Sequence, residues 1–257
     1  MIKKNLNPLG PWLLALSLLV TLGGCVTRQS GPEIDREAAL NTYVNLAMAY
    51  IDNGNRESAR HHLRKAFELD ENSPKALGAQ AMLFQLEGEK ERAEQSFKNA
   101  LRRDSDSTQT RNNYAAFLYS QERYEEAYEQ FKIVSEDVDY DNRSRALLNL
   151  GRSALQLGRV DRAKAAFEHA YTLNRRMAAV LIELAEINFN EQEYAEAKRY
   201  LDQYANLARH SARSLLLGIK IERIFDNKDK EASYALALKN RFPYSDEYLE
   251  YKREMND

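Results

Sequence analysis

The chain has 257 residues, with 37 Lys and Arg against 39 Asp and Glu, giving a formal net charge of −2. That balance leaves no basic excess for a nucleic-acid or anionic-lipid surface. Charged residues make up 30%, against ten glycines, five prolines and one cysteine, which favours long exposed helices and excludes an internal disulfide framework.

The first element in chain order is short and basic, Met1-Ile2-Lys3-Lys4, followed by the apolar run "WLLALSLLVTL" from Trp12 to Leu22. A membrane span needs about 20 apolar residues, so this run suits the core of a signal peptide instead. It ends in Leu22-Gly23-Gly24-Cys25, which resembles a bacterial lipobox. Small residues there admit the extended backbone to the peptidase, and the lone sulfur receives the lipid. Residues 1–24 are therefore expected to be a removed lipoprotein signal peptide, and Cys25 to be the lipidated first residue of the mature chain. Val26 follows where Asp commonly retains lipoproteins in the inner membrane. The resemblance thus implies an outer-membrane protein, lipid-anchored on the periplasmic side. Removal of Lys3 and Lys4 leaves 35 basic residues against 39 acidic ones, a net charge of −4. Residues 25–35 carry the lipidated Cys and a polar segment with Gly31-Pro32, read as a flexible tether.

From residue 36 onward the chain repeats. Ala59, Ala93, Ala127, Ala163, Ala197 and Ala232 are spaced by 34, 34, 36, 34 and 35 residues. Four residues after each stands a large apolar side chain: Leu63, Phe97, Phe131, Phe167, Leu201 and Leu236. Twelve before the first five stands another small residue: Ala47, Ala81, Ala115, Gly151 and Ala185. Gly54, Gly88 and Gly158 fall five before their alanines, where a turn would join two helices. Antiparallel helices approach closely only where side chains are small, so each pair predicts a helical hairpin. The period and pattern resemble the tetratricopeptide repeat. The expected fold is all-α, a right-handed α-solenoid of about six such repeats, at 40–73, 74–107, 108–141, 144–177, 178–211 and a degenerate 212–244, with residues 142–143 inserted. Ala66, Ala100 and Ala170 recur where the second helix meets the next repeat, whereas Tyr204 and Lys239 occupy that position later. Asn188 replaces an aromatic. Ser73-Pro74 supplies an N-cap and a first-turn proline. Ser245 caps an amphipathic run, so residues 245–257 are predicted to form a C-terminal capping helix over the last apolar face.

No catalytic constellation emerges. There is no phosphate-cradling glycine loop and no His-Glu-x-x-His. His61 and His62 are adjacent, so on a helix they diverge by roughly 100° and read as solvated surface residues. Asp137, Asp139 and Asp141 imitate a calcium loop, but Leu148 stands at the twelfth position where an acid is required. No metal, nucleic acid or small-molecule substrate is expected, and no cofactor beyond the covalent lipid on Cys25. The chain is not read as an enzyme.

What repeats of this kind do is bind. Concave positions are assigned here to Val44, Met48, Ile51, Met82, Leu86, Tyr119, Leu148, Leu155, Ile182 and Phe189. Asn112, Arg145, Arg152 and Glu186 interleave as polar groups. They form either a groove for an amphipathic partner segment, with Met as adaptable surface, or packing between neighbouring repeats.

The lipobox followed by six repeats resembles the type IV pilus biogenesis and stability lipoproteins, the PilW/PilF pilotin family. The resemblance runs along the mature chain and is strongest in "NNYAAFLYSQERYEEAYEQF" (112–131) and "LLLGIKIERIFDNKDKEASYALALKNRFP" (215–243). It implies a pilotin that binds the outer-membrane secretin of the type IV pilus and promotes its outer-membrane localisation and multimer assembly. Pilus biogenesis and twitching motility would depend on it. The rival expectation is a lipidated periplasmic scaffold for another envelope machine, serving β-barrel insertion or peptidoglycan enzymes.

Overall fold

Thirteen α-helices and no strand occur among the residues that the computed structural model describes, 35–255. The expected signal peptide, the lipid-bearing Cys25 and the tether up to residue 34 lie outside the described residues, as do the last two residues of the expected cap. The chain divides into two units, 1–39 and 40–257. The described part of the first is an N-terminal helical turn, capped by Asp35, which accepts from the Ala38 N–H at 3.0 Å.

The helices are α1 (Arg36–Asp52), α2 (Arg56–Leu69), α3 (Pro74–Glu87), α4 (Lys90–Arg103), α5 (Thr108–Ser120) and α6 (Tyr124–Glu136). They continue as α7 (Arg143–Gln156), α8 (Val160–Leu173), α9 (Ala178–Asn190), α10 (Tyr194–Leu207), α11 (Ala212–Ile224), α12 (Lys228–Arg241) and α13 (Asp246–Glu254). Consecutive odd and even helices form six hairpins. The crossing residues Ala47, Ala59, Ala81, Ala93, Ala115, Ala127, Ala163, Ala185 and Ala197 are wholly buried. Gly151 shows why: a Cβ there would overlap the ring of Phe167, which is fully buried beneath it. Ser73 caps α3 by accepting from the Ala76 N–H at 3.3 Å, and Ser245 caps α13 through the Tyr248 N–H at 3.2 Å.

Each hairpin turn contains one residue with positive φ: Gly54, Gly88, Glu122, Gly158, Gln192 and Asp226. Glycine adopts that backbone freely, whereas a side chain costs about 1 kcal/mol or more. Three of the six turns therefore hold their shape against a local preference, with the packed helices on either side supplying the difference.

The sixth hairpin departs from the expected register. Ala232 is exposed and Leu236 is 59% exposed, so neither is a packing residue. Tyr234 instead lies against Gly218, and Leu238 is the one buried residue of α12. The turn residue Asp226 follows Gln192 by 34 positions, which puts Glu231 rather than Ala232 in step with the earlier alanines. Glu231 is held at the surface by Arg223 (2.8 Å). The alanine at 232 is a coincidence of spacing, and Lys239 is likewise exposed. The last core cluster, built on Leu215, Leu216, Ile219 and Leu238, is covered by Phe242 and by Tyr248 and Tyr251 of α13. Lys220 and Arg223 pair with Glu250 and Glu254 to hold that helix down.

Two further details differ from expectation. His62 is half-buried rather than solvated, stacked on Tyr50 at 5.3 Å with Tyr43 at 6.2 Å. Asn188, in place of an aromatic, is buried and satisfies itself by donating to the Leu184 carbonyl at 2.7 Å. The loop at 137–142 closes on Asp137, which accepts from the Asp139 N–H (3.0 Å) and from the Thr108 hydroxyl. The Thr108 contact, first among the causes, holds the Asp137 carboxyl below its ordinary value.

Neighbouring hairpins are joined by charge as well as by packing. Glu94 of α4 accepts from Arg123 at the start of α6 (2.7 Å), from Lys98 (2.7 Å) and from the Tyr114 hydroxyl (3.2 Å). Arg123 in particular draws the Glu94 carboxyl down from 4.5 to about 2, against the opposing effect of burial. Burial, then the Glu94 charge, pushes the Tyr114 phenol up to about 12.

Two outcomes follow for stability. Gly151→Ala should cost about 1–3 kcal/mol, the range for overpacking, read by chemical denaturation; an unchanged midpoint would show that the crossing is looser than described. A carboxyl with a depressed folded pKa stabilises above its unfolded value and loses that contribution as pH falls. The Glu94 contribution should therefore be complete above pH 4.5 and fade toward pH 2. Glu94→Gln should flatten this part of the acid-unfolding curve, and an identical curve for the variant would dismiss the latch.

Candidate partner groove

Two concavities open along the odd-numbered helices of the second unit. The first, about 720 Å³, is walled by α1, α3 and α5. Its polar lining is mainly amide. Asn41 accepts from Lys75 at 2.8 Å, Gln109 donates to Asn113 at 3.0 Å, and Tyr140 donates to Gln109 at 3.2 Å. Asn113 in turn donates to the Met82 sulfur at 3.1 Å. Amides carry both donors and acceptors, so this wall can satisfy the backbone of an extended or helical segment while Met48 offers adaptable apolar contact.

The second concavity, about 600 Å³, is built by α5, α7, α9 and α11 around Tyr119, Asn149, Arg152, Leu155, Glu183 and Arg213. Glu183 is only 5% exposed. It accepts from Arg152 Nε (3.1 Å) and from Arg213 Nη2 (2.8 Å). Arg213 also pairs with Glu186 through Nε and Nη2. The Glu186 contacts, with Glu183 behind them, raise the Arg213 guanidinium above its ordinary value. Burial pushes the Tyr119 phenol up, with Tyr124 adding to it.

The sequence-derived positions divide between groove and core. Val44, Ile51, Leu148 and Ile182 are 6–7% exposed and belong to the packed core, Val44 adding an edge to the first concavity. Ile51, Leu148 and Ile182 are corrections: in a helix stacked on both sides, the wide apolar face fills inter-repeat space before it reaches solvent. Met48, Met82 and Leu86 are half-buried against the first-repeat cluster, and Met82 also touches the central one. Met48 lines the first concavity, whereas Asn113 takes the place expected of Asn112. Tyr119, Arg152 and Leu155 come together in the second. Phe189 lies apart from them in a smaller hollow of about 250 Å³ with Glu186, Arg213 and Lys220. Cys25 lies outside the described residues.

Sequence reasoning missed Glu183 and Arg213. A usable signal was present, because α9 reads "AAVLIELAEINFN" and carries two carboxylates in an otherwise apolar helix. A buried charge needs a partner, and the arginines of α7 and α11 supply it. Among the described residues no three His, Cys, Asp or Glu side chains are grouped to hold a metal ion.

The core positions can be separated from the groove by substitution. Leu148→Ala should cost about 2–5 kcal/mol, the range for a buried leucine, whereas Asn45→Ala in the first concavity should leave the denaturation midpoint nearly unchanged. Equal effects would place Leu148 at the surface.

Tetratricopeptide repeat profiles match residues 40–73, 106–176 and 154–217. The type IV pilus assembly protein PilF of Pseudomonas aeruginosa is 41% identical over 245 residues, covering 94% of this chain and 97% of that one. A solved structure of Pseudomonas aeruginosa PilF superposes with a TM-score of 0.81 at 42% identity, covering 85% of this chain and 99% of that chain. The crystal structure of PilW, described as a widely conserved type IV pilus biogenesis factor, gives 0.69 at 26% identity, with 82% and 97% covered. With the solenoid, the helical hairpins and nearly the full length shared, the chain belongs to the PilF family of tetratricopeptide-repeat proteins, which are binding scaffolds rather than enzymes.

Proposed function

We propose that this chain is a lipid-anchored pilotin acting in type IV pilus biogenesis. The observation that carries the reading is identity to a type IV pilus assembly protein across almost the whole of both chains. The two concavities are consistent with it, since they give the scaffold a surface able to hold a peptide segment. The partner is the outer-membrane secretin of the pilus. A secretin subunit in transit exposes unpaired strand edges and apolar surface until it oligomerises, which invites aggregation. Acyl chains on Cys25 would hold the scaffold on the periplasmic side of the outer membrane. Tethering there raises the effective concentration of a bound subunit where insertion occurs. One acyl chain anchors only marginally, so the multiple chains of a bacterial lipoprotein matter to this role.

Location and recognition are separable in such a design. Cys25→Ser should leave the repeats folded and able to capture secretin, while heat-resistant secretin multimers decline or collect in the wrong membrane. Deletion of the whole protein should remove multimers, surface pili and twitching motility. Fractionating inner and outer membranes and blotting for multimers makes the measurement. Normal outer-membrane multimers in the deletion strain would overturn the proposal and leave the scaffold for β-barrel or peptidoglycan machinery as the alternative.

A further inference from the structure

The near-neutral balance of the whole chain hides an uneven distribution. The even-numbered helices contribute almost nothing to the two concavities, and the first two of them are basic. Helix α2 reads "RESARHHLRKAFEL" and α4 reads "KERAEQSFKNALRR". Together they hold nine lysines and arginines against four glutamates, a net charge of +5. The mature chain stands at −4, so everything else in it sums to −9. The next helix of this series, α6, carries four glutamates and one lysine. The basic surface is therefore confined to the first two hairpins.

Many of these cations have no acidic partner. On α2 the exposed Arg56, Arg60 and Arg64 recur every four positions and form one stripe. Arg64, Lys90 and Arg103 are exposed and form no hydrogen bond or ion pair among the described residues. Arg56 reaches only the Leu86 carbonyl (3.1 Å), and Arg102 only the Asn99 side chain. Arg60, Arg64 and Arg92 border a hollow of about 370 Å³ whose walls include Phe67 and Phe84. Glu87 and Glu89 pair with Arg60 and Arg92, which leaves Arg64 as the free charge beside it. A free guanidinium next to apolar side chains suits a phosphate whose carrier is itself partly apolar. The acids of the joints, Asp70, Glu71, Asp104 and Asp106, follow the last turns of these helices and interrupt neither stripe.

Helix α1 opens at residue 36, eleven peptide units after Cys25, a span of at most about 40 Å. Anchoring at Cys25 thus keeps the first hairpins close to the headgroups at high effective concentration. Basic residues near an anionic bilayer each add attraction, which acts within a Debye length. We infer that the outer face of α2 and α4 docks on the anionic phospholipid headgroups of the leaflet that holds the anchor, with Arg64 taking a headgroup phosphate. The inference rests on lipidation of Cys25 and is independent of which protein the repeats bind. Docking through the even-numbered helices leaves the wall of odd-numbered helices open to a partner.

The test uses the full chain purified from envelope membranes and reconstituted in phosphatidylcholine vesicles, with or without phosphatidylglycerol, whose headgroups carry an energy acceptor. A fluorophore is placed on α4 through Gln95→Cys or, as the reference, on α8 through His169→Cys; both positions are exposed. With phosphatidylglycerol present, transfer from the α4 label should exceed that from the α8 label. The excess should vanish without phosphatidylglycerol, and also in high salt, which shortens the screening length. Arg64→Glu combined with Lys90→Glu should abolish it too, with thermal unfolding unchanged because neither side chain has a partner to lose. The milder pair Arg64→Gln and Lys90→Gln should remove part of it, which covers the case of a reversal that disturbs folding. Transfer that ignores phosphatidylglycerol, or ignores both pairs of substitutions, would overturn the docking alone and leave the basic face to an acidic protein partner. Fluorophore uptake by Cys25 in the chain without an added cysteine would overturn the anchor, and the docking with it. Secretin multimers, measured separately, decide the pilotin proposal.

Discussion

Two helices can run antiparallel at short range only where neither carries bulk at the point of crossing. In this chain that condition is met by Ala47 with Ala59 and by the equivalent pairs of the next four hairpins, whose alanines are all buried to zero. Once the crossing is small, a large residue four positions on must fill the space beside it, hence Phe97, Phe131 and Phe167. The turn must then reverse the chain in a few residues, which demands one left-handed backbone position. Spacing, packing and turn geometry are thus one constraint seen three times.

Because a repeat touches mainly its neighbours, the stability of such an array is close to a sum of hairpin and interface contributions. Long-range ion pairs here fall almost entirely on the interfaces. Arg159 bonds Glu125 at 2.7 Å, Lys164 bonds Glu191 at 2.5 Å, and Lys198 reaches the buried Glu222. Exposed pairs of this kind contribute little individually. Those that end on a buried carboxylate, Glu183 or Glu222, matter more, because an unpaired charge at that depth is costly. The concave wall at Arg152 and Arg213 is therefore stiffened by the same groups that give it charge.

Much of the architecture was legible in the sequence because volume dictates residue type at a crossing, and alanine or glycine there has few substitutes. The turns were half legible: Gly54, Gly88 and Gly158 announce themselves, whereas Glu122, Gln192 and Asp226 reach the same backbone with side chains that give no warning. Ala232 misled because a lone alanine at nearly the right spacing looks like a crossing residue, while the helix actually packs through Tyr234 and Leu238. The groove was the least legible part. An apolar side chain such as Leu148 or Ile182 satisfies the core and a binding surface equally well, and only neighbours from other repeats decide between them. Glu183 was legible in principle, since a carboxylate inside an apolar helix requires an unseen partner.

The interval between the turn residues widens once, from Glu122 to Gly158, and then returns to 34. The extra length is absorbed entirely by the Asp137–Asn142 joint between α6 and α7, where Thr108 and Arg143 pin the loop to flanking structure. Downstream hairpins keep their phase as though nothing had been added. In a one-dimensional stack, joints between hairpins are tolerant of length and turns within hairpins are not. Foreign sequence, such as an epitope or a labelling tag, therefore belongs at this joint, where it would leave the register of the array intact on both sides.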